Sequence, residues 1–280
     1  MRNKLIIVEG LPGSGKSTTA KTLYNILREK GINTKLYAEG DYNHPADFDG
    51  FAYFTKKEFV NLIEKYSDYK KLLDKLKKEF YHGYLIHYRK AIEEDNVYIP
   101  SDLLNDIKEK DIYNLPLELH EKLILKRWTN FVSSSKDKDE ITIFECCFIQ
   151  NPVTVTMVRD NAKKDVTLNF VKKLEKIITP LKPILIYVNQ EDIEDALSRV
   201  IEERPEDWFE GFKIYYTEQG YGSYFELKDL EGTLEILETR KVLEDEIYNE
   251  LSLTKYKINN STFNKEILNK ELQCILQEHL

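Results

Sequence analysis

Cysteine is scarce. Three residues in 280, with Cys146 and Cys147 adjacent and Cys274 far away, cannot build a disulfide framework or a cysteine zinc cluster. Long uninterrupted apolar runs are missing, and the N-terminus reads as a core strand rather than a charged leader with a cleavage site. Neither membrane insertion nor export is therefore expected, and a reduced, cytoplasmic setting is. An excess of positive charge is missing too. Lys and Arg number 41 against 49 Asp and Glu, a formal net charge of −8, which argues against a nucleic-acid partner held by neutralising a chain of phosphates. The basic stretch Lys70 to Lys78 alternates with Leu72, Leu73 and Leu76 and reads as the solvated side of a helix. With 41% hydrophobic residues the chain can bury a substantial core, and a small-molecule partner fits it best. None of these features fixes the oligomeric state.

What is present is more specific. Leu5 to Val8 is an apolar strand-like run that leads into Gly-Leu-Pro-Gly-Ser-Gly-Lys-Ser, residues 10 to 17, the complete pattern G-x-x-x-x-G-K-[ST] of a phosphate-binding loop. Gly10, Gly13 and Gly15 permit backbone angles closed to other residues. Together with Ser14, they let successive N–H groups turn toward a polyphosphate at the positive end of the following helix. Lys16 is expected to reach the β- and γ-phosphates, Ser17 to ligand Mg²⁺, and Thr18 to face the α-phosphate or extend the first helical turn. The required context is in place, because Ala20, Leu23 and Leu27 continue on one helical face.

Thr34 to Ala38 gives a second strand ending at Glu39-Gly40-Asp41. From Asn43 to Glu140 the composition turns to Lys, Glu, Leu and Tyr with Gly and Pro breaks, which predicts a helical insertion. Ile141 to Phe144 closed by Glu145, Pro183 to Val188, and Thr254 to Ile258 supply three more strands. Helices are predicted over Ile193 to Glu203 and from about Asn264 onward. Five strands alternating with helices predict one doubly wound, mainly parallel α/β domain, with ligands at the strands' C-terminal ends. The glycines and aromatics from Trp208 to Phe225 suit either a mobile flap or a static β-hairpin. His44 and His87 lack partners at metal-ligand spacing and read as structural.

On these landmarks the chain resembles the P-loop small-molecule kinases, which include nucleoside monophosphate kinases, deoxynucleoside kinases and chloramphenicol phosphotransferase. The resemblance covers residues 1 to 42, 141 to 149, 183 to 205 and 254 to 280. It implies ATP as phosphoryl donor, Mg²⁺, and a small hydroxyl- or phosphate-bearing acceptor. It also implies that an acid after the second strand meets the acceptor hydroxyl, with Asp41 the first candidate for the base and Glu39 the second. Glu145 would stand where a strand-end acid helps hold Mg²⁺. Arg199 and Arg204 would belong to a lid whose guanidinium groups suit a spread negative charge, although Arg199 could instead pair with Glu202 or Glu203. Asn259-Asn260-Ser261 would lie near the adenine. The loop from Asp41 to Phe54, three carboxylates among five aromatics, suits either a polar or cationic ring compound or an aromatic core segment. The insertion would cover the acceptor. A regulatory NTPase and a nucleotide-binding scaffold without turnover remain the competing classes.

Overall fold

The computed structural model describes residues 3–279, apart from the side chain of Glu203. Among the described residues eight strands run in chain order: β1 Leu5–Glu9, β2 Thr34–Tyr37, β3 Phe51–Thr55, β4 Lys77–Phe80, β5 Gly83–His87, β6 Ile141–Glu145, β7 Ile184–Asn189 and β8 Thr254–Asn259. They form two sheets, β2-β6-β1-β7-β8 and β3-β5-β4. The chain divides into two compact units, residues 1–39 with 128–280, and residues 40–127.

The first unit carries the five-stranded sheet, parallel throughout, as the apolar strand runs predict. β1, β6 and most of β7 are buried residue by residue, as a parallel sheet covered on both faces requires. The helix Lys16–Glu29 lays Ala20, Leu23 and Leu27 into the same cluster as Ile6, Ile143 and Ile186, and Leu268, Leu272, Ile275 and Leu276 of the helix Lys265–His279 join it. Each fully buried Leu or Ile contributes about 1.5–3 kcal/mol. The register aligns Val8 with Glu145 and Tyr37 with Phe144. That alignment sets the strand-end acids Glu145 and Glu39 beside the exit of β1.

The second unit corrects the helical reading of residues 43 to 140. It contains an antiparallel sheet, β3-β5-β4, packed with the helices Lys56–Lys65, Lys70–Leu76 and Ser101–Lys108 around Phe54, Phe59, Leu73, Ile86 and Leu103. Local sequence misleads here because β4 is Lys-Lys-Glu-Phe, a helix-like composition that becomes an edge strand only by pairing with β5. The helix Lys56–Lys65 opens on a capping box, Thr55 with Glu58. In the loop from Asp41 to Phe54, Phe48, Phe51, Tyr53 and Phe54 are buried, Asp47 accepts from the Tyr113 hydroxyl, and Asp49 pairs with Arg89 at 3.0 Å. The four aromatic side chains belong to the buried interior of their own unit. His44 is buried, which drops its pKa to about 3, and its Nδ1 accepts the Ala46 amide. His87 stacks on Phe51 with ring centres 3.7 Å apart.

From Trp208 to Phe225 no hairpin forms: the helices Glu206–Thr217 and Gly220–Tyr224 follow one another, and Asp229–Glu250 comes after them. Gly222 serves packing, since a Cβ there would lie 2.3 Å from the Tyr216 carbonyl. Among the described residues no helix is long and apolar enough to cross a membrane.

Candidate functional site

Residues 10–15 leave β1 and feed the N-terminus of the helix Lys16–Glu29. Gly13 and Gly15 hold φ of +79° and +90°, and a Cβ on Gly15 would lie 2.4 Å from Asn260 Nδ2, so both the left-handed backbone and the close approach demand glycine. Gly15 is the N-cap; no side chain caps this helix, and its first turn carries no acid. The first N–H groups of the helix, Lys16 to Thr18, lie before any i−4 partner and face outward with the positive end of the dipole. An anion is the natural partner for such an end. Lys16 is buried and lays Nζ across the loop onto the Leu11 carbonyl at 3.0 Å.

The loop is braced from behind. The Ser14 carbonyl accepts from Gln190 Nε2 at 3.0 Å and from Asn260 Nδ2 at 2.9 Å. Asn260 therefore fixes the phosphate loop, and Asn259 bonds Glu191 and Ser261 within the neighbouring turn. The Ser14 hydroxyl itself is buried without a partner. Gly10 stands against β7, where a Cβ would approach the Val188 carbonyl to 2.4 Å.

A cavity of about 470 Å³ opens beside the loop and stays wholly within the first unit. Lys16, Ser17, Thr18, Glu39 and Glu145 line one part of it, and Trp208, Phe212, Tyr216 and Phe263 supply aromatic wall. Ser17 Oγ donates to Glu145 Oε1 at 2.5 Å, and the Glu39 amide reaches Glu145 Oε2 at 3.4 Å. Two oxygen-bearing groups thus meet at the helix N-terminus, the hard donor type that Mg²⁺ takes. Arg204 lines the cavity with its guanidinium 5.4 Å from the Trp208 ring centre. Arg199 does not line it. Arg199 pairs with Asp195 at 2.8 Å and lies 3.9 Å over Phe263, whose ring does; of the two glutamates that the sequence offered as its partners, Glu203 has its side chain outside the described residues. Asp41 belongs to the second unit, where its carboxylate accepts the Asn43 amide at 2.8 Å and its carbonyl accepts from His44.

A group of buried polar residues escapes the sequence reading. Glu9, the last residue of β1, accepts the Phe148 and Gln150 amides at 2.7 and 2.9 Å. Burial pushes its carboxyl up to about 7 against those hydrogen bonds. To present these amides the chain turns sharply after β6, with Cys146 at φ +60°, a left-handed angle unusual for a side chain and common near working sites. Cys146 and Cys147 pack there as small buried groups. Arg240, 1% exposed, bonds Glu244 at 2.6 Å, the Tyr216 hydroxyl at 2.7 Å, Thr154 Oγ1 at 3.0 Å and the Gln150 carbonyl at 3.3 Å. Burial works against its charge but is outweighed by Tyr216 and Glu244, which hold its pKa above the ordinary value. Tyr187 completes the group by donating to Glu244 at 2.8 Å. Gln150 gives its Nε2 to Glu39 Oε1 at 2.9 Å.

A parallel five-stranded sheet with a phosphate loop leaving its central strand, and an acid ending the adjacent strand, is the α/β architecture of a P-loop nucleotide-binding fold. The model of the family described as chromatin associated protein KTI12 matches residues 4–72. Among solved structures, thymidylate kinase from Candida albicans is similar at 13% identity, with 99% of this chain and 92% of that chain covered and a TM-score of 0.44. No curated protein sequence matches.

Proposed function

We propose that the protein is an ATP-dependent phosphotransferase acting on a small hydroxyl- or phosphate-bearing molecule. The observation that carries this reading is that the phosphate loop, the Ser17–Glu145 pair, Glu39 and a wall of aromatic rings share one cavity. Its volume of about 470 Å³ lies within the range of small-molecule sites. In the proposed reaction the uncapped helix N-terminus and Lys16 bind the β- and γ-phosphates of ATP. The acceptor oxygen forms the new bond to the γ-phosphorus as the bond to the β,γ-bridging oxygen breaks, ADP carries away the electron pair, and the acceptor proton passes to a carboxylate. Mg²⁺, when bound, supplies charge neutralisation between the phosphates, and Ser17 with Glu145 would hold it. Arg204 would face the negative charge that develops on the transferring group. Of the two candidate bases, Glu39 is favoured because it lines the cavity, whereas the Asp41 carboxylate closes its own turn.

The test is an ATP-consumption screen over nucleosides, nucleotides, sugars and antibiotics, read by mass spectrometry for a phosphate adduct. An adduct on one small molecule, absent with Lys16→Ala, is the expected result. ATP hydrolysis with no adduct would move the protein to the NTPase class, and binding without turnover to the scaffold class.

A further inference from the structure

Gln150 belongs to no motif, yet its backbone is held on both sides by buried charged groups. Its amide donates to the buried Glu9 carboxylate at 2.9 Å, its carbonyl accepts from the buried Arg240 at 3.3 Å, and its residue is 8% exposed. Both backbone polar atoms are thus fixed by buried groups, so the position of its side chain is set by the core rather than by a loop. That side chain points its Nε2 at Glu39 Oε1, 2.9 Å away. The amide orientation follows from the partner: a carboxylate only accepts, so the NH₂ end must face it, and Oε1 of Gln150 is left without a partner.

Glu39 is the opposite kind of residue. It is exposed, lies two positions beyond the end of β2 and is followed by Gly40 at φ +80°, a setting in which a long side chain samples several rotamers. Among the described residues the bond from Gln150 is the single hydrogen bond its carboxylate accepts. We infer that Gln150 is a positioning residue that aims the Glu39 carboxylate at the acceptor. By occupying Oε1 it leaves Oε2 as the oxygen that meets the acceptor hydroxyl and takes its proton. Glu9 and Arg240 act one step further back by fixing Gln150, and no contact of Gln150 itself with the acceptor is required. The inference rests on the phosphotransferase reading.

The experiment is a double-mutant cycle on the full chain with the acceptor that gains phosphate in the screen. Wild type, Gln150→Leu, Gln150→Glu, Glu39→Gln and the double variant Glu39→Gln/Gln150→Leu are compared for kcat and for binding of a fluorescent ATP analogue. Gln150→Glu keeps the size and sets a carboxylate, which repels Glu39, in place of the donor, so it serves as a second disruption of the bond if Gln150→Leu folds poorly. Loss of the positioning bond is expected to lower kcat about ten- to a hundredfold, the cost of misplacing a reacting group by about an ångström. ATP-analogue affinity should stay within about twofold, and the Gln150 substitution should cost nothing further once Glu39 is Gln. A kcat unchanged in both Gln150 variants overturns the inference while leaving the kinase reading intact. So does an equal loss in both backgrounds, which is what a merely structural residue would give. Absence of any phosphorylated product in wild type overturns the kinase reading itself and the inference with it.

Discussion

Replacing Arg240 by Met removes one member of a fully buried ion pair and leaves the other behind. Arg240 and Glu244 are 1% and 0% exposed and 2.6 Å apart. In Arg240→Met the Glu244 carboxylate keeps only the Tyr187 hydroxyl as donor, and Tyr216, Thr154 and the Gln150 carbonyl each lose a charged partner. Breaking a buried pair from one side costs about 3–5 kcal/mol, because the remaining charge stays desolvated. For a cooperative unit of roughly 190 residues the unfolding entropy is about 0.4 kcal/mol per kelvin, so the melting temperature should fall by about 8–12 °C. The double variant Arg240→Met/Glu244→Leu should recover part of that loss, since no unpaired charge is then buried, although the Tyr187 hydroxyl loses its acceptor. Thermal unfolding followed by circular dichroism, with urea titration as a second route, measures both. The reasoning is refuted if Arg240→Met melts within 2 °C of wild type, or if the double variant loses as much as the two single variants together.

Three further outcomes are expected. Lys16→Ala should abolish ATP turnover while its melting temperature stays close to wild type, as Lys16 bonds only the loop carbonyl of Leu11; unchanged turnover in the folded variant would remove the phosphate loop from the mechanism. Glu39→Gln should lower kcat about a hundred- to ten-thousandfold with little effect on ATP binding, and Asp41→Asn should have the smaller effect; the reverse order in steady-state kinetics assigns the base to Asp41. Glu9 makes stability pH-dependent in a defined direction. Its carboxyl sits at about 7 in the fold against 4.5 in the free group, so the native state binds its proton more tightly. The resulting stabilisation is complete below about pH 4.5 and is lost as the pH rises through 7, about 3 kcal/mol in all. Urea unfolding at pH 5 and pH 8 should show this fall in wild type and a smaller one in Glu9→Gln; parallel profiles would show that Glu9 does not titrate in this window.

The phosphate loop was legible residue by residue because its chemistry is local: three glycines, a lysine and a serine at fixed spacing dictate the turn, the helix start and the exposed N–H groups. The three inner strands β1, β6 and β7 were legible for a related reason, since a strand buried on both faces must be a continuous apolar run. Glu39 and Glu145 could be placed at strand ends, and register then brought both beside the loop.

The rest was decided by tertiary contacts that no local pattern encodes. Lys77 to Phe80 is a strand because β5 lies beside it, and the glycines between Trp208 and Phe225 serve helix packing at Gly222 rather than a hairpin. Arg240 stands in a long helix rich in Glu, a composition that gives no sign of burial; only the fold buries it against Glu244, Tyr216 and Gln150. Gln150 and Glu39 lie 111 positions apart, and their bond exists because β2, β6 and β1 are adjacent in one sheet. The sequence determined which residues can touch a phosphate, since that ability belongs to a few neighbouring atoms. The structure decided what holds an acid in place beside them, since that depends on which distant strands become neighbours.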